Sequence, residues 1–328
     1  MTMPAPALVS IALCTYNGSR FLAEQMDSLL AQTYPHIEIV VADDASSDDT
    51  LAILEHYARL DPRISIGVNP ANVGFAHNFE RVLARCCGEF IAPCDQDDIW
   101  LPEKIAALVA AIGGHSLAYC DSTLVDASGA PSGTRMSAIV PMLSTDDPVA
   151  FAFGNCVSGH ALLCRRELMS SALPVPAVFF YDWWIAAVAA SRDGIVYCAQ
   201  SLVHYRQHGA NVTDARLGEM MQEAGIESRQ PGSSPPSGRR RSSRDERIRY
   251  LRETQQRLVA LAQLPGKHQA FVSKLHRLWS ARATQWFSPA LGWFMLRHRK
   301  RLLVLTPLSD RKQKRYCRRC FRGERLLE

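Results

Sequence analysis

The chain has 328 residues, with 37 Lys and Arg against 32 Asp and Glu, a length that suits one α/β domain of about 200 residues with an appendage. Of its 10 cysteines, Cys317 and Cys320 alone show a paired spacing, which excludes a zinc site of two cysteine pairs and favours reduced thiols. No stretch reaches the ~18 to 20 apolar residues of a membrane span, and the N-terminus lacks a signal-peptide pattern, so we expect a cytoplasmic protein.

Two apolar strands near the N-terminus each end in a polar loop. The predicted elements are a strand over Val9–Leu13, a helix over Phe21–Gln32, a strand over Ile37–Ala42 and a helix over Leu51–Leu60. Polar loops at 14–18 and 43–50 lie where each strand gives way to its helix. In open α/β sheets ligands bind outside the carboxyl ends of the strands, so we expect these loops to converge on one crevice.

A third apolar run, Phe90 to Pro93, leads directly into Cys94, Asp95, Gln96, Asp97 and Asp98. Carboxylates at this spacing repel one another and raise each other's pKa unless a cation neutralises them. Oxygen ligands select Mg²⁺ or Mn²⁺, and these ions hold substrate phosphates, so the cluster predicts a nucleotide-sugar site with the metal as a bridge. The alternative is turn chemistry, or a cap for a helix that starts near Pro102.

These loops form a set with one further stretch. The set is Thr15–Gly18, Asp43–Ser46, Asn72–Phe75 with Asn78, and Asp95–Asp97, and in identity, order and separation it resembles the family 2 glycosyltransferases of the GT-A fold. The resemblance covers roughly the first two thirds of the chain. It implies an α/β fold of GT-A type (Rossmann-like, with a mostly parallel sheet flanked by helices), here with a basic α-helical C-terminal extension. The residues from Asp95 to Trp100 look most like rhamnosyltransferase-type enzymes of bacterial surface polysaccharide assembly.

The resemblance also implies an activity: inverting, metal-dependent transfer of a sugar, with rhamnose as the candidate, from a dTDP- or UDP-sugar to a hydroxyl of a glycan or lipid-linked glycan. Thr15 and Tyr16 would line the base, and Asp43 would accept a hydrogen bond from the base imide NH, which favours uracil or thymine. Asp95 would face the ribose or the metal, and Asp97 would ligate Mg²⁺ or Mn²⁺. The nucleotide-sugar site would be completed by Asn17, Asn72 and Asn78.

Asp182 lies among aromatic residues, before the apolar segment Ile185–Ala190, which is predicted as a helix. The residues alone favour a helix N-cap with its aromatic neighbours in the core. The resemblance implies instead a general base that takes the proton from the acceptor hydroxyl as this attacks the anomeric carbon. Many members of the family carry an acidic pair here, whereas Tyr181 precedes the aspartate in this chain.

A predicted strand at Leu202 ends in a basic loop that contains Arg206 and His208. Such a loop suits a flap over a diphosphate, with His208 as a metal ligand or phosphate contact and Arg206 neutralising charge at the nucleotide sugar. The alternative is that His204 and His208 are ordinary loop or strand-edge residues. The loop at 154–160 is expected near the acceptor.

Positive and negative residues are distributed unevenly along the chain. From Arg239 onward there are 24 Lys and Arg against 6 Asp and Glu, a balance of +18, whereas the preceding residues carry 13 against 26, a balance of −13. The segment 230–238 is rich in Pro, Ser and Gly and cannot bury a core. We therefore expect a catalytic domain over 7–215, a flexible linker over 216–244 and a basic helical region over 245–328.

The basic region is predicted to contain an amphipathic helix around Asp245–Leu261 and another over Leu275–Trp286. Between Trp286 and Leu305, Trp and Phe residues are followed by a cluster of Arg and Lys, a composition that suits the surface of an anionic bilayer. This pattern predicts peripheral contact with the inner face of the cytoplasmic membrane. A helical cap that docks its aromatics on the catalytic domain remains an equal alternative.

Two rival functions compete with the transferase. The basic region suggests a polyanion or nucleic-acid binder, but it lacks a recognisable nucleic-acid-binding fold, so no nucleic-acid partner is expected. A nucleotidyltransferase or an NAD enzyme is a less well supported alternative, because the chain has neither GxGxxG after the first strand nor GxxxxGK[ST]. The Gln-x-x-Arg-Trp signature and membrane helices of the family's processive polymerases are also missing, which implies non-processive, single addition.

Overall fold

The computed structural model of the chain describes residues 6–208, 217, 221, 244–282 and 284–322. The strands are β1 Val9–Thr15, β2 Ile37–Asp43, β3 Ile64–Val68, β4 Phe90–Cys94, β5 Ile99–Trp100, β6 Leu117–Val125, β7 Pro131–Arg135, β8 Leu162–Arg165 and β9 Ile195–Arg206. The helices are α1 Ser19–Leu30, α2 Thr50–Leu60, α3 Phe75–Arg85, α4 Lys104–Ile112, α5 Met136–Ile139, α6 Met169–Ala172, α7 Tyr181–Ala190, α8 Arg244–Gln263, α9 Gln269–Arg282, α10 Pro289–Leu302 and α11 Asp310–Arg319.

The strands form one mixed sheet in the order β3-β2-β1-β4-β8-β6-β9-β5, with β7 beside β6. Strands β3, β2, β1 and β4 are mutually parallel, and β9 is parallel to β6. Because β8 runs antiparallel to both β4 and β6, the strands β6 and β9 point the same way as β4. The carboxyl ends of β1, β2, β4 and β9 therefore meet at one edge of the sheet, and the predicted α/β class is confirmed.

Helices cover both faces of the sheet. On one face α1, α2 and α4 contribute Leu22, Leu54 and Leu108 to a core cluster. On the other face α3 and α7 pack with the helices that follow residue 244. Strand β1 is buried along its whole length, which explains why Val9–Leu13 reads as a continuous apolar run.

The basic C-terminal helices pack against the catalytic fold. Trp279 of α9 is 2% exposed and contacts the Phe153 ring at a centroid distance of 5.4 Å. Arg301 of α10 binds both carboxylate oxygens of Asp147, in the turn before a short 3₁₀ helix at Pro148–Ala152. Leu258, Leu275 and Met295 are buried in the same core cluster as α7. The docking that defines the cap alternative is thus present in the described residues.

The predicted linker over 216–244 lies outside the described residues, apart from positions 217, 221 and 244. Within the ranges that the structure describes, none of the helices has the length and apolar character needed to cross a membrane.

Replacing Trp279 by alanine should destabilise the whole chain. A buried Trp→Ala change typically costs about 3–5 kcal/mol of unfolding free energy, because it leaves a cavity. The matched control is Trp293→Ala, since Trp293 is 68% exposed in the same region, and its cost should stay below about 1 kcal/mol. Urea unfolding, followed by circular dichroism and by nucleotide binding, would measure the unfolding free energies of both variants. Separate transitions for the two signals would show that the helices and the catalytic fold unfold independently.

Candidate functional site

A cavity of about 470 Å³ opens at the sheet edge where the strand ends meet. It is lined by Thr15, Tyr16, Asn17, Arg20, Asp44, Asn72, Asn78, Asp95, Gln96, Asp97 and His208, among others. Most of the residues that the sequence singles out for a nucleotide sugar and a metal therefore line one cavity. Asp43 and Arg206 do not line it.

The loop after β1 is tied to the acidic loop after β4 by one side chain. The Tyr16 backbone NH donates to Gln96 Oε1 at 2.8 Å, and Gln96 Nε2 donates back to the Tyr16 carbonyl at 3.1 Å. Gly18 makes room for this amide, since a Cβ there would lie 2.1 Å from Gln96 Oε1. The Tyr16 side chain remains 48% exposed at the cavity rim.

The two aspartates at the end of β2 have different roles. Asp43 is fully buried and accepts hydrogen bonds from Thr15 Oγ1 at 3.2 Å and from the Ser46 backbone NH at 3.0 Å. The Asp43 carboxylate is therefore turned into the protein and does not line the cavity, and its predicted contact with a bound base stays a prediction. Asp44, which the sequence analysis missed, lines the cavity and accepts from the backbone NH groups of Val73 and Gly74 at 2.9 Å each.

Two asparagines support the same wall of the cavity. Asn78 is buried, donates through Nδ2 to the Ala42 carbonyl at 2.9 Å and accepts from Asn69 Nδ2 at 2.9 Å. Asn72 accepts from the Gly74 backbone NH at 3.0 Å. Asn78 therefore ties α3 to β2, Asn72 stabilises the turn before α3, and both residues line the cavity.

The acidic loop presents Asp97 beside the imidazole of His208. Asp97 Oδ2 lies 2.7 Å from His208 Nε2, although the two residues are 111 positions apart in the chain. A carboxylate and an imidazole this close fit one divalent cation, which both side chains could ligate. Burial raises the pKa of Asp95 to about 8, and the negative charges of Asp97 and Asp182 add to the rise. A bound cation would relieve the repulsion between these carboxylates.

A second group of possible ligands lies behind the loop. Carboxylate and imidazole atoms of Asp95, Asp98 and His160 lie within 4.8 Å of one another, and Asp98 Oδ2 is buried without a hydrogen-bond partner. Burial lowers the pKa of His160 to about 3, helped by the charge of Lys104, so the contact of His160 with Asp98 at 3.5 Å is not an ion pair near neutral pH. Asp98 does not cap α4, because its Oδ1 accepts from the Arg206 backbone NH at 3.0 Å.

The Arg206 side chain is 1% exposed and lies behind the acidic loop. Its guanidinium donates to the carbonyls of Asp97 at 2.8 Å and Ala127 at 3.1 Å and pairs with Glu24. Its charge therefore supports the loop from the inside, and the expected contact of Arg206 with a diphosphate stays a prediction. Arg20, which no sequence motif indicated, is the exposed cation that lines the cavity.

A second cavity of about 150 Å³ adjoins the first, and Phe75, Asp95 and Tyr205 line both. Asp182 lines the second cavity, where the loop at 155–160 forms the opposite wall. The N-cap prediction for Asp182 is wrong: Phe180 holds the N-cap position, and Asp182 lies within the first turn of α7. Two molecules, one bound in each cavity, would therefore lie next to each other beside Asp95.

Comparison with known proteins shows that this arrangement is similar to glycosyltransferases. Residues 10–170 match the family model described as Glycosyl transferase family 2. An uncharacterized glycosyltransferase of Haemophilus influenzae is 29% identical over 216 residues, which cover 62% of this chain and 66% of the relative. The putative teichuronic acid biosynthesis glycosyltransferase TuaG of Bacillus subtilis is 31% identical over 128 residues, covering 36% of this chain and 51% of TuaG. The chain thus spans just under two thirds of the first relative's length.

Solved structures show the same fold. The crystal structure of S. aureus TarS 1-349 in complex with UDP superposes with a TM-score of 0.52 at 18% identity, covering 83% of this chain and 87% of TarS 1-349. At this identity the likeness concerns the fold, which agrees with the mixed sheet and its flanking helices.

Replacing Gly18 by alanine should lower stability by about 1–3 kcal/mol, because the new methyl group displaces the Gln96 amide and breaks its two hydrogen bonds. Gly114→Ala is the matched control, since no atom lies within 4 Å of a Cβ at that position. In a Gln96→Ala background the Gly18→Ala change should cost less than about 0.5 kcal/mol. Urea unfolding of the four variants would measure this, and an equal cost in both backgrounds would contradict it.

Proposed function

We propose that this chain, whose residues 10–170 match the model described as Glycosyl transferase family 2, transfers a sugar from a nucleoside-diphosphate sugar to the hydroxyl of a glycan or lipid-linked glycan. The observation that carries this proposal is the meeting of two cavities at Asp95, with Asp97 and His208 on one side and Asp182 on the other. The larger cavity has room for the donor, and the smaller one would admit the acceptor hydroxyl.

The donor is proposed to be a UDP- or dTDP-sugar. The exposed ring of Tyr16 offers a face for the base, and Asp44 takes over the role that the sequence suggested for Asp43. The Asp44 carboxylate already accepts from Val73, Gly74 and Asn69, and a carboxylate can accept about four hydrogen bonds, so one imide NH could still bind. Arg20, rather than Arg206, is the cation proposed to meet the diphosphate.

Mg²⁺ or Mn²⁺ is proposed as the cofactor, held by Asp97 and His208 with Asp95 nearby. When bound, such an ion would neutralise charge on the departing diphosphate. Asp97 and His208 supply one carboxylate and one imidazole at the cavity wall. The raised pKa of Asp95 supports the same assignment, because its crowded carboxylate gains most from a nearby cation.

Asp182 is proposed as the general base of an inverting transfer. Its carboxylate would accept the proton of the acceptor hydroxyl while that oxygen forms the bond to the anomeric carbon. The bond from this carbon to the diphosphate oxygen breaks in the same displacement, so the configuration inverts. The position of Asp182 in the cavity next to Asp95 supports this role.

The finer assignment is a non-processive rhamnosyltransferase-type enzyme of surface polysaccharide assembly, including O-antigen. Residues 95–100 support it by their likeness to that group, and the likeness to TuaG supports a polysaccharide acceptor. The protein would act at the cytoplasmic face of a membrane, where lipid-linked acceptors are held.

Asp97→Asn should abolish sugar transfer while the fold remains intact, because an amide loses the negative charge that a divalent cation requires. The control Asp49→Asn removes an exposed carboxylate at the start of α2 and should leave turnover unchanged. Release of UDP or dTDP from a panel of nucleotide sugars with Mg²⁺ or Mn²⁺ would measure both. Full turnover in excess chelator would contradict the metal assignment.

Asp182→Asn should lower kcat by at least ~10² while donor affinity persists, because general base catalysis contributes roughly 10² to 10⁴. Steady-state kinetics and calorimetric titration with the donor would separate these two effects. If the variant loses stability but its folded fraction turns over normally, Asp182 has only a structural role at the start of α7.

A further inference from the structure

Three aromatic side chains stand out from the basic C-terminal region. Trp286, Phe287 and Trp293 are 69%, 75% and 68% exposed, whereas Trp279 and Phe294 of the same region are 2% and 8% exposed. We call the three exposed residues the aromatic tip. Docking on the catalytic fold therefore uses one set of aromatics and leaves another at the surface.

The tip is built by packing between two segments. The Ser288 backbone NH donates to the Phe321 carbonyl at 2.9 Å, and Phe287 forms a β-bridge with Arg322. Trp293 contacts the Phe321 ring edge-on at 5.6 Å. Gly292 permits this approach, because a Cβ there would lie 2.2 Å from the Phe321 ring. The three side chains are thus presented by a paired backbone and a helix.

The segment that carries the tip is strongly basic. Residues 284–322 contain 11 Lys and Arg and one acidic residue, a balance of +10. Arg297 and Lys300 follow Trp293 by four and seven positions on α10, so they share its helix face, and both are exposed. Exposed Arg318, Arg319 and Arg322 flank Phe321. The one acidic residue, Asp310, is paired with Arg299 and Lys314.

We infer that the aromatic tip and its ring of arginines form a docking surface for an anionic lipid bilayer. Trp and Phe favour the boundary between headgroups and acyl chains, and nearby Arg side chains would reach the lipid phosphates. A second copy of the chain fits this surface less well, because a two-fold contact would bring two strongly basic segments together. Exposed aromatic area of this kind marks an interaction surface.

The same region packs against the segment that leads into the wall of the smaller cavity. A Cβ at Gly154 would lie 2.9 Å from the Leu305 carbonyl, and the neighbouring Asn155 lines that cavity. Bilayer docking would therefore hold the acceptor side of the site near the membrane. That consequence rests on the proposed function, whereas the docking itself does not.

Flotation of the full chain with vesicles tests the inference. Binding should be weak to phosphatidylcholine and strong to phosphatidylcholine mixed with phosphatidylglycerol, and it should fall as salt rises. The variant Trp286→Ser/Phe287→Ser/Trp293→Ser should bind at least about tenfold more weakly. Arg318→Glu/Arg319→Glu/Arg322→Glu should lose the preference for anionic lipid.

The matched control is Arg59→Glu/Leu60→Ser, which removes an exposed cation and a 68% exposed leucine from α2 and should bind like the parent chain. Because all these side chains are exposed, the urea midpoints should agree, and this separates docking from folding. Asp97→Asn should bind vesicles normally, so a loss of turnover and a loss of docking are distinguishable.

Three results would overturn the inference. The parent chain could ignore anionic vesicles at every salt concentration. The aromatic variant could bind as tightly as the parent chain, which would show that charge alone, without the three aromatics, accounts for vesicle binding. A single-stranded oligonucleotide could bind through the three aromatics while vesicles do not, which would assign the surface to nucleic acid.

Discussion

The crowding of carboxylates after β4 is the constraint on which the rest of the site depends. Asp95, Asp97 and Asp98 lie within four positions, and burial with mutual repulsion raises the pKa of Asp95 to about 8. The fold holds this loop from behind through Arg206, which donates to the Asp97 carbonyl and through its backbone NH to Asp98. It holds the loop from the side through Gln96 and Tyr16. The Asp95 and Asp97 carboxylates also line the cavity, where a divalent cation would offset their charge and could in turn bind a diphosphate.

Much of this arrangement follows from the sequence. Strands β1, β2 and β4 are almost entirely buried, so their residues are mostly apolar and the polar loops after them stand out. Parallel strand order then brings those loops to one edge. The choice between Asp43 and Asp44 could not be made in this way, because the two are adjacent and the turn that follows, with Ala45 at φ 60°, decides which carboxylate faces the cavity.

Long-range pairing and burial account for the other differences. Arg206 ends a strand and precedes a loop, a position that suggests exposure, but β9 pairs with β6 and buries its guanidinium under the acidic loop. Strand β8 joins β4 through the pairing of Phe90 with Arg165, a contact that no local pattern encodes. The two alternatives for the basic region, cap and bilayer contact, proved compatible in their geometry, since Trp279 packs inward while Trp293 remains exposed.

The position of a bound metal ion tests the proposed site most directly. Anomalous diffraction from crystals grown with Mn²⁺ and UDP or dTDP would locate the ion among the acidic residues. We expect manganese bound to Asp97 and His208 at the wall of the larger cavity, with the diphosphate between the ion and Arg20. Manganese bound instead by Asp98 and His160 behind the loop, or a nucleotide bound with no ion at Asp97, would contradict it.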